Sequence, residues 1–72
     1  MRVGTRIRIN AEQIDDDDGT QRITPAGEVW QVLDIDLDSS GLPSVHVGCA
    51  ATGATVILGA PDFEAGILEE LR

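Results

Sequence analysis

An all-β fold, a small barrel of five strands with room for a short 3-10 turn or helix near the C terminus, is what the sequence predicts. Three observations lead there. Apolar and polar residues alternate at period two along Thr5–Ile9 and again from Glu28 to Asp38. Turn signals rich in Gly, Pro and Ser cut the chain at short intervals, a spacing that suits strands better than helices. The 72 residues allow one core, so residues 1–72 are expected to form a single domain.

The first strand is carried by Thr5-Arg6-Ile7-Arg8-Ile9, with Thr5, Ile7 and Ile9 on one face and the two arginines on the other. From Asn10 to Ala26 the chain turns polar, runs through Asp15-Asp16-Asp17-Asp18-Gly19 and ends at Thr24-Pro25-Ala26-Gly27, which reads as one long loop. The second strand, Glu28 to Asp38, is the clearest. Its alternation assigns Val29, Gln31, Leu33, Ile35 and Leu37 to the interior and Trp30, Val32, Asp34, Asp36 and Asp38 to the outer face. A hairpin through Ser39-Ser40-Gly41-Leu42-Pro43 then pairs Leu37 with Val45, Ile35 with Val47 and Leu33 with Cys49, and sets His46 opposite Asp36.

A second hairpin turns at Ala51-Thr52-Gly53 and returns from Ala54 to Leu58. Its register stays open: one loop length directs Thr55 and Ile57 inward, the other Val56 and Leu58. Gly59-Ala60-Pro61-Asp62-Phe63 is a turn that stops this strand, and Gly66 to Leu71 forms the last one. A terminal helix competes for that segment, since Phe63, Ile67 and Leu71 fall at helical spacing, although Gly66 costs it about 1 kcal/mol relative to Ala.

Gly4-Thr5-Arg6-Ile7, Gly27-Glu28-Val29 and Ile67-Leu68-Glu69-Glu70-Leu71, with the long first loop and the Pro turn before a brief last strand, resemble the SH3-like barrel pattern over the whole chain. Within that class the layout is similar to the plasmid-type dihydrofolate reductases, tetrameric small barrels. Where that family reads substrate and cofactor with a Val-Gln-Ile-Tyr run, this chain has Thr55-Val56-Ile57-Leu58, without the amide or the phenol. The resemblance implies the architecture and self-association, and it argues against reductase activity.

Thirteen Asp and Glu against five Arg and no Lys give a formal net charge of −8. Direct nucleic-acid binding, which needs cations to displace condensed counterions, is not expected; a basic protein surface is the better electrostatic match. Cys49 is the sole cysteine, so no internal disulfide forms, which favours a reducing, cytoplasmic compartment. The start Met1-Arg2-Val3-Gly4 lacks the apolar run of a signal peptide. Gly, Ser, Thr, Pro and His46 interrupt the uncharged stretch from Ser39 to Pro61, so no membrane span is expected. So small a core makes a homo-oligomer a live expectation.

No motif reaches a catalytic or cofactor signature. Asp34, Asp36 and Asp38 resemble the opening of a calcium loop, but Ser39 stands at its glycine position and Val45 at its closing carboxylate, so no metal is assigned. Gly48 and Gly53 have phosphate-loop spacing with Ala54 where the lysine belongs. His46 and Cys49 fall on opposite strand faces and form no dyad. Asp15, Asp16, Asp17 and Asp18 read first as a solvated loop tip, and second as an acidic surface for a basic groove.

The functional expectation is a non-catalytic acidic protein that docks on a basic protein surface. Trp30 would be its apolar anchor, with Val32, Asp34, Asp36, Asp38 and His46 around it, unless the first loop covers Trp30. Such a protein fits an inhibitor or accessory factor of a nucleic-acid-handling complex from a phage or mobile element. The alternatives are a small oligomeric enzyme with its site at the subunit interface, and a structural subunit.

Overall fold

A computed structural model describes residues 1–71 of the chain. Its elements are β1 (Arg6–Ile9), β2 (Gln13–Asp17), β3 (Thr20–Thr24), β4 (Val29–Leu37), β5 (Pro43–Gly48), β6 (Thr55–Leu58), α1 (Ala60–Glu64) and β7 (Leu68–Glu70). The chain is mostly strand and wholly antiparallel. Five strands form one sheet in the order β6-β5-β4-β1-β7, and β2 and β3 pair as a separate hairpin. The five-stranded ladder does not close into a ring: β6 and β7 are its edges.

The long first loop is instead this hairpin. Asp15, Asp16 and Asp17 lie in β2, opposite Arg22, Gln21 and Thr20. Asp18 and Gly19 make the two-residue turn between the strands, both at positive φ (48° and 76°). Asp-Gly is the pair that such a turn favours, because both positions need left-handed backbone and its twist matches the flanking strands. Near the other end of the chain, Pro61 opens α1 and the Asp62 carboxylate accepts a hydrogen bond from the Gly59 N–H at 2.9 Å.

The core gathers Ile7 and Ile9 of β1, Trp30 and Val32 of β4, Val45 and Val47 of β5, and Leu58 of β6, with Cys49 and Ala54 at the turn between β5 and β6. Here the structure corrects the inside-outside assignment of β4. Trp30 and Val32 are each 1% exposed, whereas Leu33 is 45% exposed. The cause is a β-bulge: Val32 pairs with Val47 and Asp34 with His46, so Leu33 is an extra residue that β5 does not match.

On either side of the bulge the alternation is regular but opposite in phase. Before it, Trp30 pairs with Ile7 and Val32 with Val47, facing inward. After it, Ile35 pairs with Val45 and Leu37 with Pro43, as the inward assignment of Ile35 requires, although both side chains run beyond the covered core and stay exposed. Energetics explain the choice. Burial of a large apolar side chain is worth about 1.5–3 kcal/mol. An unbroken ladder would leave Trp30 and Val32 in water, and the bulge gives up only local pairing at one residue.

The register of the first hairpin accordingly differs from expectation. Ile35 faces Val45 rather than Val47, and His46 faces Asp34 rather than Asp36. The second hairpin pairs Val45 with Leu58 and Val47 with Val56, which settles the open register in favour of Val56 and Leu58 inward. Cys49 N–H donates to the Ala54 carbonyl, and Gly53, at φ +74°, donates back to the Cys49 carbonyl.

Candidate functional site

One solvent-facing side of β4, β5 and β6 brings together most of the exposed chemistry. Residues paired across a sheet share a face. Asp34, His46 and Ile57 therefore form one row, and Asp36 with Ser44 forms the next. On the other side of the bulge, Arg6, Gln31, Gly48 and Thr55 form a third row, beside the pair of Arg8 and Val29. Leu33 bridges the two halves: a Cβ placed on Gly48 would stand 3.0 Å from Leu33 Cδ1, so the leucine leans across the glycine.

Of the residues predicted to bind a partner, Asp34, Asp36 and His46 thus share this face. Asp34 and Asp36 each accept a hydrogen bond from the next backbone N–H, at 3.0 and 2.8 Å. Asp38 lies beyond the strand and serves the turn, where its Oδ1 accepts from the Ser40 and Leu42 N–H groups. Trp30 and Val32 are on the opposite side, in the core, and do not anchor a partner from there. Exposed apolar residues of the face include Val29, Leu33 and Ile57, the last 69% exposed. None was singled out from sequence as a binding residue, although the adjacent pair Val32-Leu33 marks where the alternation slips by one.

The acidic segment packs beside this face. The carboxylate of Asp15 accepts a hydrogen bond from the Thr55 N–H at 2.9 Å, which ties the β2–β3 hairpin to β6. A second tie joins buried Thr24 to Thr52, whose hydroxyl oxygens are 2.7 Å apart. Asp16, Asp17 and Asp18 remain exposed along the hairpin and its turn.

Charge is left largely uncompensated. Among the described residues, the ion pairs are Arg8 with Glu69 at 3.1 Å and the N-terminal amine with Glu70 at 3.7 Å. The aspartates of the face and of the hairpin form no ion pair among the described residues. Among the described residues, no three His, Cys, Asp or Glu side chains converge as a metal-binding group, and no helix is long and apolar enough to cross a membrane.

Arg6, Val29, Gln31, Leu33, Gly48 and Thr55 of this face, with the buried core residues Trp30, Cys49 and Ala54, are among those that line a groove of about 370 Å³. Among the described residues, Trp30 Nε1 is buried without a hydrogen-bond partner. No protein family, curated protein or solved structure shows significant similarity to the chain.

Proposed function

We propose that the chain is a non-catalytic acidic binding protein whose β4–β5–β6 outer face docks on a basic protein surface. The observation that carries the reading is the row Asp34, His46 and Ile57. It sets an apolar side chain, 69% exposed, on the same face as carboxylates that form no ion pair among the described residues. Isolated surface apolar residues are ordinary, but Ile57 and Leu33 with an unpaired acidic surround have the composition of an apolar anchor and a charged rim. Asp16, Asp17 and Asp18 extend the negative field along the hairpin beside β6 and would steer a cationic partner toward the face.

An inhibitor or accessory factor of a nucleic-acid-handling complex is the kind of protein this describes, because such complexes expose basic grooves. We also propose the SH3-like arrangement for the fold. Its support is the strand order β6-β5-β4-β1-β7, the hairpin inserted between β1 and β4, and the single helical turn before a last strand that returns to β1.

The test is affinity capture from the cells that make the protein, run in parallel with Ile57→Asp, Leu33→Asp and a double Asp34→Asn and Asp36→Asn variant. The expected result is one basic partner, captured by the native chain, weakened by all three variants and released as salt rises. Capture that is indifferent to both salt and these substitutions would overturn the reading.

A further inference from the structure

The outer half of β4 is a further free edge of the sheet. β4 runs nine residues and β1 four, and β1 accompanies it only from Val29 to Val32. There the Val32 N–H donates to the Thr5 carbonyl and the Val32 carbonyl accepts from the Gly4 N–H. Gly4, at φ +92°, then turns the chain away, and the Thr5 N–H donates back to the Arg2 carbonyl. From Leu33 to Leu37, no strand among the described residues pairs with β4 on that side.

Backbone direction along this half follows from the hairpin, where the Asp38 N–H donates to the Leu42 carbonyl. Hydrogen bonding alternates along an antiparallel pair, so Asp36 and Asp34 bond to β5, while Ile35 and Leu37 aim their N–H and C=O groups away from it. The two outward N–H groups are met by side chains of their own strand: Asp34 Oδ1 accepts from Ile35 and Asp36 Oδ1 from Leu37. The other edges are closed more firmly. On β6 the Thr55 N–H is held by Asp15 of the hairpin, and just past the strand the Gly59 N–H is held by Asp62. β7 is three residues long, with Glu69 paired to Arg8.

Side chains alternate about the β4 edge. Ile35 and Leu37 are exposed on the side continuous with the core, and Asp34 and Asp36 are exposed on the other, without an ion pair among the described residues. Opposite charges stabilise cross-strand pairs, and like charges directly opposite destabilise them. A second copy added about a two-fold axis would set aspartate against aspartate, in a chain whose net charge is already −8. A strand that alternates apolar and cationic residues matches both sides.

Resting on the proposal that the partner is basic, we infer that it binds by adding such a strand to β4 from Leu33 to Leu37. Its carbonyls take the N–H groups of Ile35 and Leu37, and its own N–H groups donate to the carbonyls of the same two residues. Its Arg or Lys side chains pair with Asp34 and Asp36, whose carboxylates are released from the backbone. In recognition of this kind main-chain bonds supply affinity and the alternation of side chains supplies specificity.

The probe is the acetylated, amidated hexapeptide (Arg-Val)3, titrated at low salt into isotope-labelled protein. Its control is a twin N-methylated at the valines, which keeps the charge and the side chains but cannot donate to a strand edge from those residues. The amides of Ile35 and Leu37 should shift saturably and exchange with solvent at least about tenfold more slowly in the complex. The twin should bind at least about tenfold more weakly. Leu37→Pro removes one edge donor at an exposed position where an edge strand tolerates proline, and it should weaken the peptide by a similar factor. Absence of any saturable shift, equal binding of the peptide and its twin, protection confined to β6 or β7, or protection of Ile35 and Leu37 that grows with protein concentration without peptide would each overturn strand addition to β4. None of these outcomes touches the docking proposal, which stands or falls on capture through Ile57 and Leu33.

Discussion

The carboxylate of Asp15 accepts a hydrogen bond from the backbone N–H of Thr55, 2.9 Å away in space and forty residues along the chain. It fixes a hairpin that otherwise makes few contacts to the five-stranded sheet, and it occupies a donor on β6, an edge strand. Asp15→Ala should therefore destabilise the fold by about 1 kcal/mol, the usual net worth of such a bond. Amide hydrogen exchange at Thr55 should quicken with it. Asp16→Ala, one residue on and exposed, should do neither; equal effects at the two positions would refute the assignment.

The bulge at Leu33 makes a sharp contrast between neighbours. Val32→Asp would bury an unpaired carboxylate in the core and should unfold the chain or cost more than about 4 kcal/mol. Leu33→Asp, at a position 45% exposed, should change stability by about 0.5–1 kcal/mol at most. Unbroken alternation along β4 would give the opposite order, so urea denaturation of the two variants decides between the registers.

How far the fold was legible can be argued from these residues. Ile7 and Ile9 alternate without interruption, and both lie in the core as their spacing predicts. Period-two reasoning failed on β4 because a single inserted residue inverts every assignment on one side of it. The exposed positions of Asp34 and Asp36 were recovered, since they fall after the slip, while Trp30 and Val32, before it, were inverted. The oddity of two large apolar residues beside an acidic row was the visible symptom. The β2–β3 hairpin was missed because its strands hold Asp and Gln where apolar residues would reveal them, leaving Ile14 opposite Ile23 and the Asp18-Gly19 turn as the only signals.

Among the described residues, Thr24 is the one buried polar residue beside the apolar core, and its hydroxyl is matched by that of Thr52 at 2.7 Å. Thr24→Val keeps the shape and removes the bond, leaving the Thr52 hydroxyl with the weaker contact from the Ala54 N–H at 3.3 Å. The expected cost is about 1–2 kcal/mol, read by thermal unfolding. A stabilised variant would show that this pair does not tie the hairpin to the β5–β6 turn.

Among the described residues the Trp30 indole has no hydrogen-bond partner, and its side chain is held by packing. Trp30→Ala should cost about 3–5 kcal/mol, enough to unfold a domain of this size. Trp30→Phe loses part of the apolar volume but also removes the unpartnered indole N–H, so its cost should be clearly smaller, about 1–2 kcal/mol. Far-UV circular dichroism is the appropriate probe, because either substitution removes the only tryptophan. Equal losses for the two variants would mean that Nε1 has a partner in solution.

The two ion pairs of the described residues are exposed and worth little, while a net charge of −8 is distributed over a small domain. Self-repulsion should therefore outweigh attraction in the folded state. Raising ionic strength from about 0.01 M to 0.15 M shortens the Debye length from roughly 30 Å to 8 Å, which screens repulsion among Asp15 to Asp18 and toward Asp34 and Asp36. The unfolding midpoint should rise over that range. Asp18→Asn should reproduce part of the rise, because it removes one charge and places Asn at a positive φ of 48°, which asparagine tolerates in this turn. Its remaining salt response should be smaller than that of the native chain. A midpoint that falls with salt would show instead that attractive pairs dominate this surface, and the excess of carboxylates could not then be the field that draws a basic partner.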